Sequence, residues 1–198
     1  MGTFTSSLKK TILFFITLIT AGLAYGQVDV TATGGTLLQS YTTLGAAFTA
    51  INAGTHTGVI TIGISGNTTE TGACVLNSSG AGLASYTSLI IKPTADGVTI
   101  AGPALTGRGL IELNGADNVT IDGDNAGTAG INRNLTITNT ATATTTFTMA
   151  IRVATSTLIT TADNISIKNC IINGNATGRN ISTANSSTGS ENNTYGIY

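Results

Sequence analysis

The chain has no tryptophan, one histidine, two cysteines and two prolines, and only 9% of its residues are charged. Each scarcity narrows the reading. Without Trp it lacks the largest of the flat, amphipathic rings that suit sugar faces, which makes it a poor glycan platform. His56, in Thr55-His56-Thr57-Gly58, is alone, and there is no GxSxG phrase, so a Ser-His-Asp or Cys-His centre would have to be built around one loop histidine. The sequence places that histidine in solvent, ahead of the first strand. Cys74 and Cys170 are too few for a disulfide framework, and the sequence leaves open whether they pair or stay free. Eight basic residues against nine acidic ones give no basic patch, which argues against nucleic acid as a partner.

What the chain has instead is threonine, glycine and asparagine: 39 Thr, 25 Gly and 17 Asn, set between alternating apolar residues. Thr is β-branched and suits the outer face of a strand, while Gly and Asn tolerate the left-handed backbone of tight corners. The alternation supplies apolar surface to bury, so the low charge does not mean disorder. A strand phrase recurs as Asp117-Asn118-Val119-Thr120-Ile121-Asp122-Gly123, Asn134-Leu135-Thr136-Ile137-Thr138-Asn139 and Asp163-Asn164-Ile165-Ser166-Ile167-Lys168-Asn169. A second recurs as Leu110-Ile111-Glu112-Leu113, Ala150-Ile151-Arg152-Val153 and Gly196-Ile197-Tyr198. Ile111 to Ile151 spans 40 positions, and both Ile151 to Ile197 and Val119 to Ile165 span 46, a near-lockstep that predicts a stacked repeat.

The pattern predicts strands at 59–64, 88–91, 98–100, 110–113, 119–121, 135–137, 150–153, 165–167 and 170–172. Residues 27–40 read as an extended leader. Leu44, Ala47, Phe48 and Ile51 mark one face of a helix between Thr42 or Thr43 and Gly54. Such a helix would cover the open apolar end of the first coil. Residues 124–133, 140–148 and 173–194 are polar excursions, where insertions often carry binding. Val119, Ile121, Ile151, Val153, Ile165 and Ile167 are expected in the core. Thr120, Thr136, Ser166 and Glu112 are expected outside, with Glu112 and Arg152 as an ordinary surface ion pair.

Residues 1–26 read as a secretory signal peptide. Lys9 and Lys10 precede the uncharged run Thr11 to Ala24, and the small residues Ala24 and Gly26 place a cut before Gln27. The run is too short for a comfortable membrane span, and no later run is longer, so no span is expected once the signal is cleaved. The divisions are then 1–26 signal peptide, 27–57 leader and N-terminal capping helix, and 58–198 repeated strands.

The signal peptide, the helix in YTTLGAAFTAINAGTHTG, the strand in GVITIGISGNTTETG, and the phrases NVTIDG and NISIKNCIING resemble secreted right-handed parallel β-helix proteins of the pectin-lyase-like superfamily. The wording is similar to large surface proteins of Bacteroidota that are exported with a C-terminal sorting domain, although no sorting domain follows here. The resemblance implies an all-β fold: a right-handed parallel β-helix solenoid with an N-terminal capping helix, truncated at its C-terminus. It implies a secreted location, extracellular or on the cell surface. It does not carry catalytic residues over. The hydrolases of that superfamily use close aspartates with an HG pair and an RxK motif, and its lyases use an acidic calcium cluster with a basic residue. Neither set has a counterpart here.

Asp122-Gly123-Asp124-Asn125-Ala126-Gly127 resembles the start of a calcium loop. Its twelfth position is Arg133 and Ala126 replaces a ligand, so the EF-hand pattern fails. Asp122 and Asp124 remain the candidate metal ligands, with calcium the only cofactor considered and a polar corner the plainer reading. A carboxylate pair for glycoside hydrolysis could in principle come from Asp117, Asp122 or Asp124. The resulting expectation is a secreted, non-catalytic β-helix scaffold, the N-terminal part of a cell-surface or adhesin-like protein. The alternative is a fragment of a polysaccharide-active β-helix lyase or hydrolase whose active residues lie on missing coils. An extracellular polysaccharide or a surface protein is the expected partner class, with self-association through an open C-terminal coil.

Overall fold

The computed structural model of the protein describes residues 26–142, 147–156, 161–174 and 194–198. The signal-peptide expectation covers residues 1–26, of which 1–25 lie outside the described residues, as does most of the 173–194 excursion. The described chain runs β1 (Val28–Gly35), β2 (Leu38–Tyr41), α1 (Leu44–Asn52), β3 (His56–Ile64), β4 (Thr68–Thr69), β5 (Cys74–Asn77), β6 (Tyr86–Pro93), β7 (Val98–Gly102), β8 (Gly109–Asn114), β9 (Val119–Asp122), β10 (Leu135–Asn139), β11 (Thr148–Ala154), β12 (Ser166–Lys168), β13 (Cys170–Asn173) and β14 (Thr194–Ile197).

Helix α1 forms where the sequence spaces apolar residues for one face. Leu44, Ala47, Phe48 and Ile51 are fully buried, and the face packs chiefly against β5. Thr43 is the N-cap, its Oγ1 accepting from Ala46 N at 3.1 Å. The helix stops at Ala53, and Gly54 follows with φ +74°.

The strands fall into three separate sheets, ordered β12-β9-β6-β3-β1-β2, β13-β10-β7-β4 and β14-β11-β8-β5. The first is mixed: β1 pairs antiparallel with both β2 and β3, whereas β3, β6, β9 and β12 are parallel. This corrects the expected fold class. The right-handed parallel β-helix solenoid with a helical cap is not what the described residues form; they form three separate sheets, one of them mixed, and a single helix. The physical reason lies in the segment read as a leader. Val28 and Val30 alternate inward and are fully buried, and Thr36-Leu37 turns the chain back on itself, with Ala32 N donating to Leu37 O at 2.9 Å. The leader therefore folds as an antiparallel hairpin on β3 instead of running past it.

Side-chain alternation builds the core. In the first sheet Ile62 pairs with Ile91, Ile91 with Ile121 and Ile121 with Ile167. In the second, Thr68, Ile100, Ile137 and Ile172 follow in register. In the third, Cys74, Ile111, Ile151 and Ile197 do so. Val119, Ile121 and Ile151 are fully buried; Val153, Ile165 and Ile167 are only partly so, on the outer strands of their sheets or beside them. Ile171 points out and is 42% exposed, because Cys170 and Ile172 take the inward positions of β13.

Candidate functional site

Four polar centres stand out among the described residues. The first is at the start of α1. Glu70 follows Thr68 by two residues, and both point inward from the β4 segment. Its Oε1 accepts from Leu44 N at 2.9 Å and its Oε2 from Gly45 N at 3.0 Å. A buried carboxylate thus satisfies two of the unpaired N–H groups at the helix start and faces the positive end of its dipole. Beside it lies a cleft of about 240 Å3, lined by Thr43, Gly45, Thr49, Glu70 and Thr71 among others. Cys74 sits against Glu70. Burial, reinforced by the Glu70 charge and hydrogen bond, pushes its thiol far above the ordinary range, so it is held as an inert thiol.

The second centre is Glu112 on β8. Expected on the surface, it is buried, with only 2% exposed. Oε2 accepts from Arg108 Nε at 2.5 Å and Oε1 from Arg152 Nη1 at 2.6 Å. The Arg152 partner was legible from the repeat, since the strand register sets Arg152 opposite Glu112. The burial was not. It arises because Arg108, in the turn before β8, closes over the carboxylate from the other side.

The third centre is His56. It is the first residue of β3 and is fully buried, not a solvated loop residue. Its Nδ1 lies 2.6 Å from Thr36 O and its Nε2 2.7 Å from Tyr41 Oη. The Tyr41 ring meets it edge-on, with centroids 5.8 Å apart. Burial raises the Tyr41 phenol above its ordinary value. The histidine thereby ties the β1–β2 turn and β2 to β3.

The fourth centre is the corner after β9, where the candidate calcium ligands lie. Asp122 Oδ1 accepts from Asp124 N at 3.1 Å and from Asn169 Nδ2 at 2.9 Å, and Oδ2 faces Lys168 Nζ at 3.1 Å. Asp124 Oδ1 accepts from Asn132 N at 2.9 Å. The structure brings the two acids together as a turn whose oxygens meet donors of the chain itself. Among the described residues no group of three or more His, Cys, Asp or Glu could hold a metal ion. Burial works to raise Asp122, but hydrogen bonds from Asn169 and Asp124 N together with the Lys168 ammonium outweigh it, and the carboxyl is held below its ordinary value. Asp117 faces elsewhere: its Oδ1 accepts from Asp163 N at 2.6 Å.

The 124–133 excursion is a knot of side-chain amides beside this corner. Asp96 Oδ1 accepts from Asn125 Nδ2 at 2.6 Å, Thr128 Oγ1 at 2.6 Å and Asn134 Nδ2 at 2.8 Å. Hydrogen bonds from Thr128 and Asn125 lower the Asp96 carboxyl. Cys74 and Cys170 are both free thiols. They stand on different sheets, β5 and β13. Burial, with the Asp122 charge adding to it, pushes Cys170 up to about 11.

Sequence reasoning missed Glu70 and Arg108. The one signal for Glu70 was its inward phase with Thr68; its partners lie 25 and 26 positions back in the chain. Arg108 stands four residues before Glu112, but that spacing marks a contact only on a helix, and this segment is a turn leading into a strand. No helix among the described residues is long and apolar enough to cross a membrane. Comparison with family models, with curated proteins and with solved structures gave no match.

Proposed function

We propose that this chain is a secreted, non-catalytic scaffold, part of an extracellular or cell-surface protein of adhesin type. One observation carries the reading. Among the described residues, the buried acidic and imidazole side chains Glu70, Glu112 and His56 are each engaged by partners from the same chain, in a helix clamp, a double arginine pair and a hairpin tie. Acid–base catalysis needs a group with a proton to give or take at a place a substrate can reach. In the cleft beside α1 the carboxylate is instead committed to two backbone N–H groups. The basic, uncharged and small-residue segments of the first 26 residues support export. An extracellular polysaccharide or a surface protein fits such a scaffold as partner. Self-association would run through β12, β13 and β14, which lie at the outer edges of the three sheets.

Two measurements test this. Expressed with residues 1–26 in a bacterial host, the protein should be recovered outside the cytoplasm with Gln27 at its N-terminus; Met1 intact on membrane-extracted protein overturns the secreted reading. Residues 27–198 should leave acidic polysaccharides uncleaved with or without calcium. Turnover that Asp122→Ala or Asp124→Ala abolishes would make the corner an active site.

A further inference from the structure

The third sheet carries a rank of side chains that runs across its strands. Val75 is opposite Glu112, and Glu112 is opposite Arg152. Tyr198 N donates to Ile151 O at 3.1 Å and Val153 N to Tyr198 O at 2.9 Å, which sets Tyr198 opposite Arg152 in the parallel pattern. Residues opposite one another in parallel strands stand on the same face, about 4.8 Å apart. Glu112, Arg152 and Tyr198 therefore share one face, and Arg108 joins them from the turn before β8.

The members differ in exposure. The Glu112 side chain is 2% exposed, those of Arg152 and Arg108 30% and 44%, and Tyr198 is 59% exposed. A guanidinium has five N–H donors in a planar fork. Arg108 is bonded to Glu112 through Nε and Arg152 through Nη1, one nitrogen each, and both side chains still reach solvent. Two arginines on one carboxylate leave one positive charge in excess. The Tyr198 ring, set edge-on to Phe147 at a centroid distance of 5.4 Å, adds an apolar wall beside the charge.

We propose that Arg108 and Arg152, held by Glu112, form a binding site for a carboxylate group carried on an aromatic body. The charge left over matches one anion. The planar fork matches a carboxylate, with two parallel N–H···O bonds. The exposed ring of Tyr198 offers an aromatic body an edge or a face to pack against. Glu112 is a positioning residue: it fixes both forks and touches no ligand. The site does not rest on the secreted-scaffold reading and stands or falls separately from it.

The test uses the whole chain and benzoate as probe, with acetate and sulfate for comparison, followed by titration calorimetry and by NMR shifts of the arginine Nε–H groups. Benzoate should bind saturably and more tightly than acetate or sulfate. Arg108→Gln and Arg152→Gln should each weaken it by about tenfold or more, the loss of a charge-assisted hydrogen bond. Arg152→Lys keeps the charge beside Glu112, and with it the fold, but removes the fork, so it should weaken binding as well. Glu112→Gln separates position from charge: it adds one net positive charge and frees the forks, and binding should weaken. Tyr198→Ala should bring benzoate down to the acetate level and leave acetate unchanged. Binding that tightens in Glu112→Gln, that is unchanged in Arg152→Lys in a folded chain, that favours sulfate, or that does not saturate overturns the proposal.

Discussion

Asn164 Nδ2 donates to Asn118 Oδ1 at 3.0 Å, and both residues hold φ at +57°. They are the second residues of two copies of the recurring phrase, so the repeat encodes a corner as well as a strand. The left-handed backbone costs an ordinary L residue about 1–2 kcal/mol, and Asn bears it better than most because its short amide bonds locally. Asn118→Gly should lose the amide bond but keep the corner without strain. Asn118→Ala should lose the bond and take on the strain. Urea unfolding should therefore rank wild type above Gly and Gly above Ala, with the Ala variant about 1–2 kcal/mol below wild type. An Ala variant as stable as the Gly variant would mean that the corner relaxes.

Glu70 should matter more to stability than its place just after a two-residue strand suggests. Glu70→Gln keeps the shape and one acceptor oxygen but turns an amide N–H₂ towards the other of the two backbone N–H groups, which then lacks its acceptor. Leaving a buried donor unpaired costs about 1–3 kcal/mol. The variant should unfold at lower urea with an unchanged slope, and the amides of Leu44 and Gly45 should lose hydrogen-exchange protection. Unaltered protection at both amides would show that the clamp is not what holds the helix start.

Asp122 gives a signed acid dependence. Its folded carboxyl titrates below the ordinary value. Its contribution is therefore fully present above the unfolded pKa of about 3.9 and is lost as pH falls through the lower folded value. The stability difference between wild type and Asp122→Asn should be constant near neutral pH and shrink below about pH 4. A difference that grows on acidification would reverse the sign and rule out the Lys168 and Asn169 contacts as its source.

The two thiols should be slow to alkylate. Cys170 is pushed up to about 11, and Cys74 is buried and raised further, so thiolate is scarce in both at neutral pH. A charged alkylating reagent at pH 8 should label neither at the rate of a free thiol. Cys170, half buried on an outer strand, should respond first as pH rises, and Cys74 only after unfolding. Rapid labelling of Cys74 in the folded protein would mean that the packing between α1 and β5 opens.

The local elements were legible because their signals are local. Leu44, Ala47, Phe48 and Ile51 announce the helix within eight residues, and Val119-Thr120-Ile121 announces its own alternation. The hairpin of β1 and β2 was not, because Thr31 to Ser40 is almost entirely exposed and offers little apolar contrast to mark a strand. The polar centres depend on partners far along the chain. Glu112 looks like an outward strand residue until Arg108 covers it, and His56 looks like a loop residue until Tyr41 and Thr36 fold over it. Equivalent positions in a repeat reveal which residues sit side by side, as with Glu112 and Arg152. They do not reveal what lies on top.

The parallel registers also govern how the chain can find its fold. Cys74 pairs with Ile111, Val98 with Leu135, and Ile111 with Ile151, so the sheet contacts of these strands are made between residues 37 to 40 positions apart. Each such pair demands that a long loop close before any bond rewards it, which slows folding and leaves strand edges waiting. The antiparallel hairpin of β1 and β2 is the exception: its closest paired residues, Thr31 and Leu38, are only seven positions apart, and it can form first. β3 then has a ready edge, β4 and β5 start the other two sheets, and from β6 onward each strand is laid against one that emerged from the ribosome before it. Vectorial synthesis thus presents the strands in the order in which their partners become available, whereas refolding from denaturant presents all the edges at once.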